Sequence, residues 1–420
     1  MATTINTEII AEKEYQNNTT ITDVVLGDNV RVIGSRAFWG CTNLKSITIS
    51  ANVEIIGDYA FRNCGNLTIT HKFDDNDNKL EHLGYGVFMG CTLSGNFRGG
   101  SRLSHVGDCA FYGTGTNCNI LIVSPKSIGR YAFYGCGDVT ITSPYLLTDV
   151  QEYAFYGTSI TSFACENEIT IGDYAFYGCT GLTSVSVSNC TTIGKYAFAH
   201  CSALSDVYLG TRLRKLGEGA FQWCSSLEEA HIPKGILNLE KYTFEYCSNN
   251  LRLFFGTHVD IPYMGLRSIS FDHSNIKIYV PDRLRTRWNN QWREDWSTAA
   301  GQDFVNDFSA EIVKLSEAPL INFAIGDIQF VAEVDMTWDE WIGSKYANYS
   351  LPANISVNEF GSAYFTTWGA DNANFVVFPL PDQRKFINEI KIDSSNNNAY
   401  LSKVSPNAVI VSNKTYVVSE

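Results

Sequence analysis

Ile171-Gly172-Asp173-Tyr174-Ala175-Phe176-Tyr177-Gly178-Cys179-Thr180-Gly181-Leu182 is followed, 22 residues on, by Ile193-Gly194-Lys195-Tyr196-Ala197-Phe198-Ala199-His200-Cys201-Ser202-Ala203-Leu204. The two stretches carry Ile, Gly, Tyr, Ala, Phe, Cys and Leu at the same offsets. Outward from them, Phe recurs at Phe38, Phe61, Phe88, Phe111, Phe133, Phe155, Phe176, Phe198, Phe221 and Phe244, with separations of 23, 27, 23, 22, 22, 21, 22, 23 and 23. Gly stands four residues before the Phe, except at Gln151 and Glu240, and Cys stands three residues after it, except at Thr114 and Thr158. Ten copies at one period mark a repeat architecture.

After each Cys comes a short alternating apolar run, such as Leu182, Val185 and Val187, or Leu204, Val207 and Leu209. Alternation predicts a strand with one buried face. A unit of this length cannot bury that face alone, so neighbours must stack and share a core. The expected fold is a parallel-β solenoid of ten turns, with equivalent strands on one wall and the Gly-x-x-Ala-Phe segments on another. In this reading Gly permits the corner, Ala permits close approach and Phe fills the core.

The pattern Ile-Gly-x-x-Ala-Phe-x-x-Cys-x-x-Leu resembles that of the BspA-like leucine-rich repeats of bacteria, their phages and some protists, over roughly residues 20–280. The resemblance implies the same leucine-rich-repeat solenoid. The 27-residue interval accommodates the polar insertion Asp74-Asp75-Asn76-Asp77-Asn78. Repeats near 91–125 and 251–275 are irregular, and a broken or bulged sheet is expected there.

The solenoid is assigned to residues 1–280. It ends at Ile276-Lys277-Ile278-Tyr279-Val280-Pro281-Asp282, where Pro281 opens a predicted helix. Trp288, Trp292 and Trp296 share one face of that helix, so 281–316 reads as a cap over the last core layer. Within 317–420, strands are expected at 321–325, 328–332, 374–378 and 409–411, with a short helix over 337–342. This small β-rich domain is assigned an attachment or oligomerising role. Its Met336-Thr337-Trp338-Asp339-Glu340-Trp341 motif resembles a module of gut-phage structural proteins.

The chain has 420 residues, 45% of them hydrophobic and 18% charged, so it can build a core and is not disordered. No apolar run reaches the ~18 residues of a membrane helix. A net charge of -13 argues against nucleic acid as a partner. Met1-Ala2-Thr3-Thr4-Ile5-Asn6 lacks the basic and apolar stretches of a secretory signal, so either a trimmed chain or release without general export is expected.

Eight of the 12 cysteines occupy the repeat position, which reads as a stacked core of free thiols rather than a disulfide framework. Cys109, Cys118, Cys165 and Cys190 follow no CxxC spacing, and no metal is expected. The seven histidines fall in scattered repeat positions, Asp74, Asp75 and Asp77 lack the rest of an EF-hand loop, and no nucleophile or acid/base set assembles. No enzyme and no cofactor are expected.

Two surfaces remain. Alternation places Ser184 and Ser186, Asp206 and Tyr208, then Glu229 and His231 outward on three adjacent strands, an expected polar patch. On the opposite wall Tyr112, Tyr134, Tyr156 and Tyr177 follow the Phe, while Tyr131, Tyr153, Tyr174 and Tyr196 precede it by two. These read either as half-buried packing or as a binding stripe for glycan or protein. The leading expectation is a non-enzymatic virion protein, a tail-fibre, appendage or decoration component of a gut phage. Its array would present about 50 Å of rigid surface to a host receptor or a neighbouring virion protein. The alternative is a bacterial or protist cell-surface adhesin.

Overall fold

The computed structural model describes residues 2–71, 78–142, 144–210, 212–233, 235–255, 263–264, 267–269 and 275–280, and the backbone of eight later strands. Each turn contributes to three parallel hydrogen-bonded ladders. The broad wall is built from strands such as Ser46–Ile49, Cys91–Gly99, Asn117–Val123, Ser184–Val187 and Asp206–Leu209. The narrow wall stacks the short aliphatic pieces that precede the repeat glycine, from Ile9–Ile10 through Ile169–Ile171 to Lys215–Leu216, in one ten-stranded ladder. The third ladder runs through the Phe turns. The amide of Phe133 donates to the Ala154 carbonyl (2.8 Å), that of Phe155 to Ala175 (2.7 Å) and that of Phe176 to Ala197 (2.7 Å).

Stacking in register puts identical side chains one above another. All ten repeat phenylalanines are fully buried, with adjacent rings nearly parallel and 4.8 to 5.5 Å apart. Beside them runs the thiol ladder. Each repeat cysteine from Cys64 onward donates its S–H to the carbonyl of a Phe in an earlier turn, as in Cys64 to Phe38 (3.0 Å), Cys136 to Phe111 (2.9 Å) and Cys224 to Phe198 (3.1 Å). Thr114 and Thr158 depart from it: their hydroxyls meet the sulfurs of Cys136 and Cys179 one turn later, both at 3.3 Å, rather than a Phe carbonyl. All 12 cysteines are free. The position therefore holds a small residue with a polar hydrogen, a thiol in eight turns and a hydroxyl in two.

The repeat glycine works differently from the sequence reading. It is not the corner. A Cβ on Gly57 would stand 2.7 Å from the Ser35 amide nitrogen, and one on Gly172 2.7 Å from that of Glu152, so this glycine permits close approach between turns. The left-handed corners lie two residues either side of the Phe, at Tyr131 (φ 56°) and Gly135 (φ 66°), Tyr153 (φ 57°) and Gly157 (φ 66°), and their equivalents.

The array also begins earlier than the Phe count. Tyr15 takes the Phe position, stacks on Phe38 at 5.2 Å and accepts the Cys41 S–H at 3.0 Å, adding a turn to the expected ten. The stretch at 91–123, expected to be broken or bulged, pairs in continuous register on both sides, and the register shift lies instead at Ile169/Thr170. Gly95, with φ 87°, pairs with both Ile69 and Cys118. Arg252–Phe254 likewise pairs normally with Lys277–Tyr279. The breaks in the broad wall fall elsewhere, between Val139–Thr142 and Ser162–Cys165 and between Asp206–Leu209 and Glu229–His231. At the first, Pro144 cannot extend the ladder, and the Asn167 amide donates instead to the carbonyls of Pro144, Tyr145 and Leu147.

No α-helix occurs among the described residues. The cap expected over 281–316, with its three tryptophans, lies outside them apart from Glu311–Lys314, which is a strand paired in parallel with Lys277–Val280. Leu320–Ile325 and Ile328–Glu333 form an antiparallel pair, matching two of the predicted strands. Ile355–Val357, Ala363–Thr366, Asn398–Ser405 and Phe386–Asp393 form a second sheet. The expected helix at 337–342 and strands at 374–378 and 409–411 lie outside the described residues.

Candidate binding surface

The corner residues decide what the outer wall presents. Side chains at successive corners are held one turn apart by the backbone ladders, so aromatic residues there stack face to face. Tyr131 and Tyr153 lie 4.7 Å apart at 4°, Tyr153 and Tyr174 4.8 Å at 2°, and Tyr174 and Tyr196 5.2 Å at 21°. The residues after the Phe make a second file, Tyr112 to Tyr134 to Tyr156 to Tyr177, at 5.0, 4.6 and 4.9 Å. The files touch where Tyr131 meets Tyr134 and Tyr153 meets Tyr156, at 5.9 and 5.8 Å. All eight rings are half-buried.

Because the π-faces cover one another, the wall offers ring edges and hydroxyls. Tyr196 donates to Glu218 (3.3 Å). Among the described residues, the hydroxyls of Tyr131, Tyr134, Tyr153, Tyr156, Tyr174 and Tyr177 make no hydrogen bond to the protein. Burial, reinforced by neighbouring carboxylates and phenols, raises the pKa of Tyr153 and Tyr174, and burial with Glu218 pushes Tyr196 up to about 12. These phenols stay protonated and can donate.

Beside the second file the corner residue is glycine in four consecutive turns. A Cβ on Gly113, Gly135 or Gly157 would meet nothing within 4 Å, and one on Gly178 only the Gly157 Cα at 4.0 Å. This bare strip is bounded on one side by Asn63, whose carboxamide lies over Gly90, and on the other by His200 and Trp223, stacked at 5.6 Å.

The sequence reading tracked the position directly after the Phe, and so missed the aromatic continuation two residues after it. Tyr177 leads to His200 (4.9 Å), then Trp223, then Tyr246 at 4.1 Å from Trp223. It also missed a cation–π cluster in which Arg62 lies 5.0 Å from the rings of both Trp39 and Tyr59. Arginine in the repeat positions that hold Tyr in other turns was the available signal.

The expected strand-face patch is more closed. Ser184 pairs with Asp206 and Ser186 with Tyr208, as alternation requires, but Glu229–His231 falls across the second sheet break, so the three strands do not form one continuous ladder. Tyr208 is only 8% exposed. Glu229 is taken up by His231 (2.7 Å) and Arg252 (2.9 Å), and the His231 ring stacks on Phe254 (4.5 Å), which stacks on Tyr279 (4.5 Å). Phe254 is fully buried and Tyr279 is 3% exposed. Outward-facing groups at this end are thus largely satisfied internally.

Among the described residues no group of three or more His, Cys, Asp or Glu side chains could hold a metal ion, and no helix is long and apolar enough to cross a membrane.

A leucine-rich repeat protein of Bacteroides ovatus ATCC 8483 matches at 19% identity, covering 75% of this chain and 84% of its own, with a TM-score of 0.41. A leucine-rich cell surface protein of Faecalibacterium prausnitzii A2-165 matches at 21%, covering 65% and 77%, with a TM-score of 0.32. The pneumococcal vaccine antigen PcpA matches at 14%, covering 74% and 95%, with a TM-score of 0.33. No curated protein matches the chain. The family model for the BspA type leucine rich repeat region matches residues 8–140, 104–209, 126–252 and 169–280, the same span over which the Phe, Cys and glycine ladders run, and the chain belongs to that family.

Proposed function

We propose that this protein is a non-enzymatic cell-surface adhesin that recognises an extracellular macromolecule through the tyrosine wall of its solenoid. The observation that carries the reading is the double file of stacked tyrosines with six hydroxyls unpartnered by described residues. Such a surface is already ordered, so binding sacrifices little side-chain entropy. Extended repeat surfaces are the usual recognition device of solenoid proteins. Family membership supports the adhesin over the virion component. The virion reading drew on residues 336–341, outside the described residues, and none of the comparisons supports it. In the adhesin reading the segment 317–420 serves attachment or self-association.

The test is attachment of the purified full chain to host-cell preparations, with Tyr134→Ala/Tyr156→Ala compared against Tyr208→Ala. Loss of attachment on changing the tyrosine wall, with an unchanged melting temperature, is expected. Loss only on changing Tyr208 moves the site to the strand face with Asp206, Glu229 and His231. Equal attachment of all variants removes both surfaces.

A further inference from the structure

The nature of the ligand follows from what the wall presents, and rests on the reading above. Three features define it. First, the groups on offer are neutral phenol hydroxyls, spaced by the ring repeat of 4.6 to 5.2 Å along two parallel files. Second, stacking blocks the ring faces between neighbours, so a ligand cannot lie flat on an aromatic platform; it must be held by hydrogen bonds at the ring edges. Third, the residues directly before the corner tyrosines are Arg130, Glu152, Asp173 and Lys195, with Glu218 at the same position in the next turn, a border of mixed sign. Glu152, Asp173 and Glu218 lie close enough to act electrostatically on these phenols, a disposition that opposes an anionic ligand.

An extended polypeptide advances ~3.3 Å per residue, with like-facing groups at twice that, and falls out of step with the hydroxyl repeat. A pyranose linked equatorially through opposite ring positions advances by close to one strand spacing per sugar, and every sugar carries hydroxyls that both donate and accept. We propose that the double tyrosine file binds a neutral, extended, equatorially linked glycan lying along the solenoid axis. One sugar sits against each turn, its hydroxyls paired with Tyr131, Tyr134, Tyr153, Tyr156, Tyr174 and Tyr177. The Gly113, Gly135, Gly157 and Gly178 strip lets the chain approach the backbone over four turns, about 19 Å at one strand spacing per turn. Asn63 on one side and His200 with Trp223 on the other close the strip, so the site takes about four sugars.

The experiment titrates the full chain with neutral β-1,4-linked oligosaccharides of two to six units, by calorimetry. Affinity is expected to rise with length to four or five units and then level off. Tyr134→Phe and Tyr156→Phe, which remove only hydroxyls, should each weaken binding about three- to tenfold. Gly157→Asn should abolish it while leaving the fold intact, because Asn63 holds the equivalent corner at φ 59°. A melting temperature within a few degrees of wild type confirms the fold. Binding that is independent of length, or unaffected by the Tyr→Phe changes, overturns the proposal. So does attachment to cells that survives glycosidase but not protease treatment. That last result leaves the adhesin reading standing with a protein receptor, whereas failure to attach to cells at all removes both.

Discussion

The phenylalanine stack runs the length of this solenoid and the tyrosine files cover four turns each, yet where they run side by side they differ in little but depth. The phenylalanine stack and the tyrosine files arise from residues one or two apart in the same turn. Their ring spacings are nearly equal, 4.8 to 5.5 Å inside and 4.6 to 5.2 Å outside. A spacing common to buried and half-exposed rings cannot come from ring attraction alone. It is imposed by the three backbone ladders, and the rings accept it. The inner stack converts the repeat into stability through burial, while the outer one leaves its hydroxyls available. One periodicity thus serves folding and recognition at once.

Alkali should break the contrast most visibly, because the inner ladder also contains thiols. Burial pushes the ladder thiol Cys136, and likewise Cys190 on the narrow wall, from 9.0 up to about 12. The unfolded chain loses these protons near pH 9 while the folded chain keeps them. Their contribution is therefore fully present below pH 9 and is lost as pH rises from 9 towards 12, at about 1.4 kcal/mol per pH unit per thiol. Melting followed from pH 8 to 11 should show a steep fall above 9, and a flat profile would mean the thiols are solvated.

Next in size, Phe176→Ala should cost about 3–5 kcal/mol by opening a cavity shared with the turns of Phe155 and Phe198, whereas Tyr156→Ala should cost far less. Denaturant titration of both variants measures the difference directly. Equal losses would show that the two stacks are energetically alike.

Gly172→Ala should destabilise by about 1–3 kcal/mol, since its Cβ must push back the Glu152 backbone. A normal melting temperature would show that the turns can separate without penalty. A smaller effect distinguishes donor from filler in the thiol ladder. Cys201→Thr should be nearly neutral, its hydroxyl meeting the sulfur of the next turn as Thr158 meets Cys179, while Cys201→Val should cost about 1 kcal/mol more, because it leaves the Phe176 carbonyl without a donor and offers no hydroxyl instead. If Val is tolerated as well as Thr, size alone selects the residue. Smallest of all, Tyr156→Phe should leave stability within about 0.5 kcal/mol, so that any change in attachment is a change of surface chemistry.

The repeat period, the parallel ladders, the buried phenylalanines and the free cysteines were legible in the sequence, because all depend on spacing and polarity that recur in every turn. Tyr15 escaped detection since it departs from the Phe pattern while filling the same layer. The role of the repeat glycine was misread for a related reason. A conserved spacing shows that a small residue is required, but whether by backbone angle or by crowding depends on how near the preceding turn lies. Side-chain identity also placed the tyrosines in two files without showing that their faces are mutually covered. It placed Tyr208 and His231 outward without showing that Tyr208 is buried and His231 is engaged by Glu229 and Phe254. Local periodicity determines which way a side chain leaves the backbone. What meets it there is decided by chain that is distant in sequence, and only the assembled turns supply that.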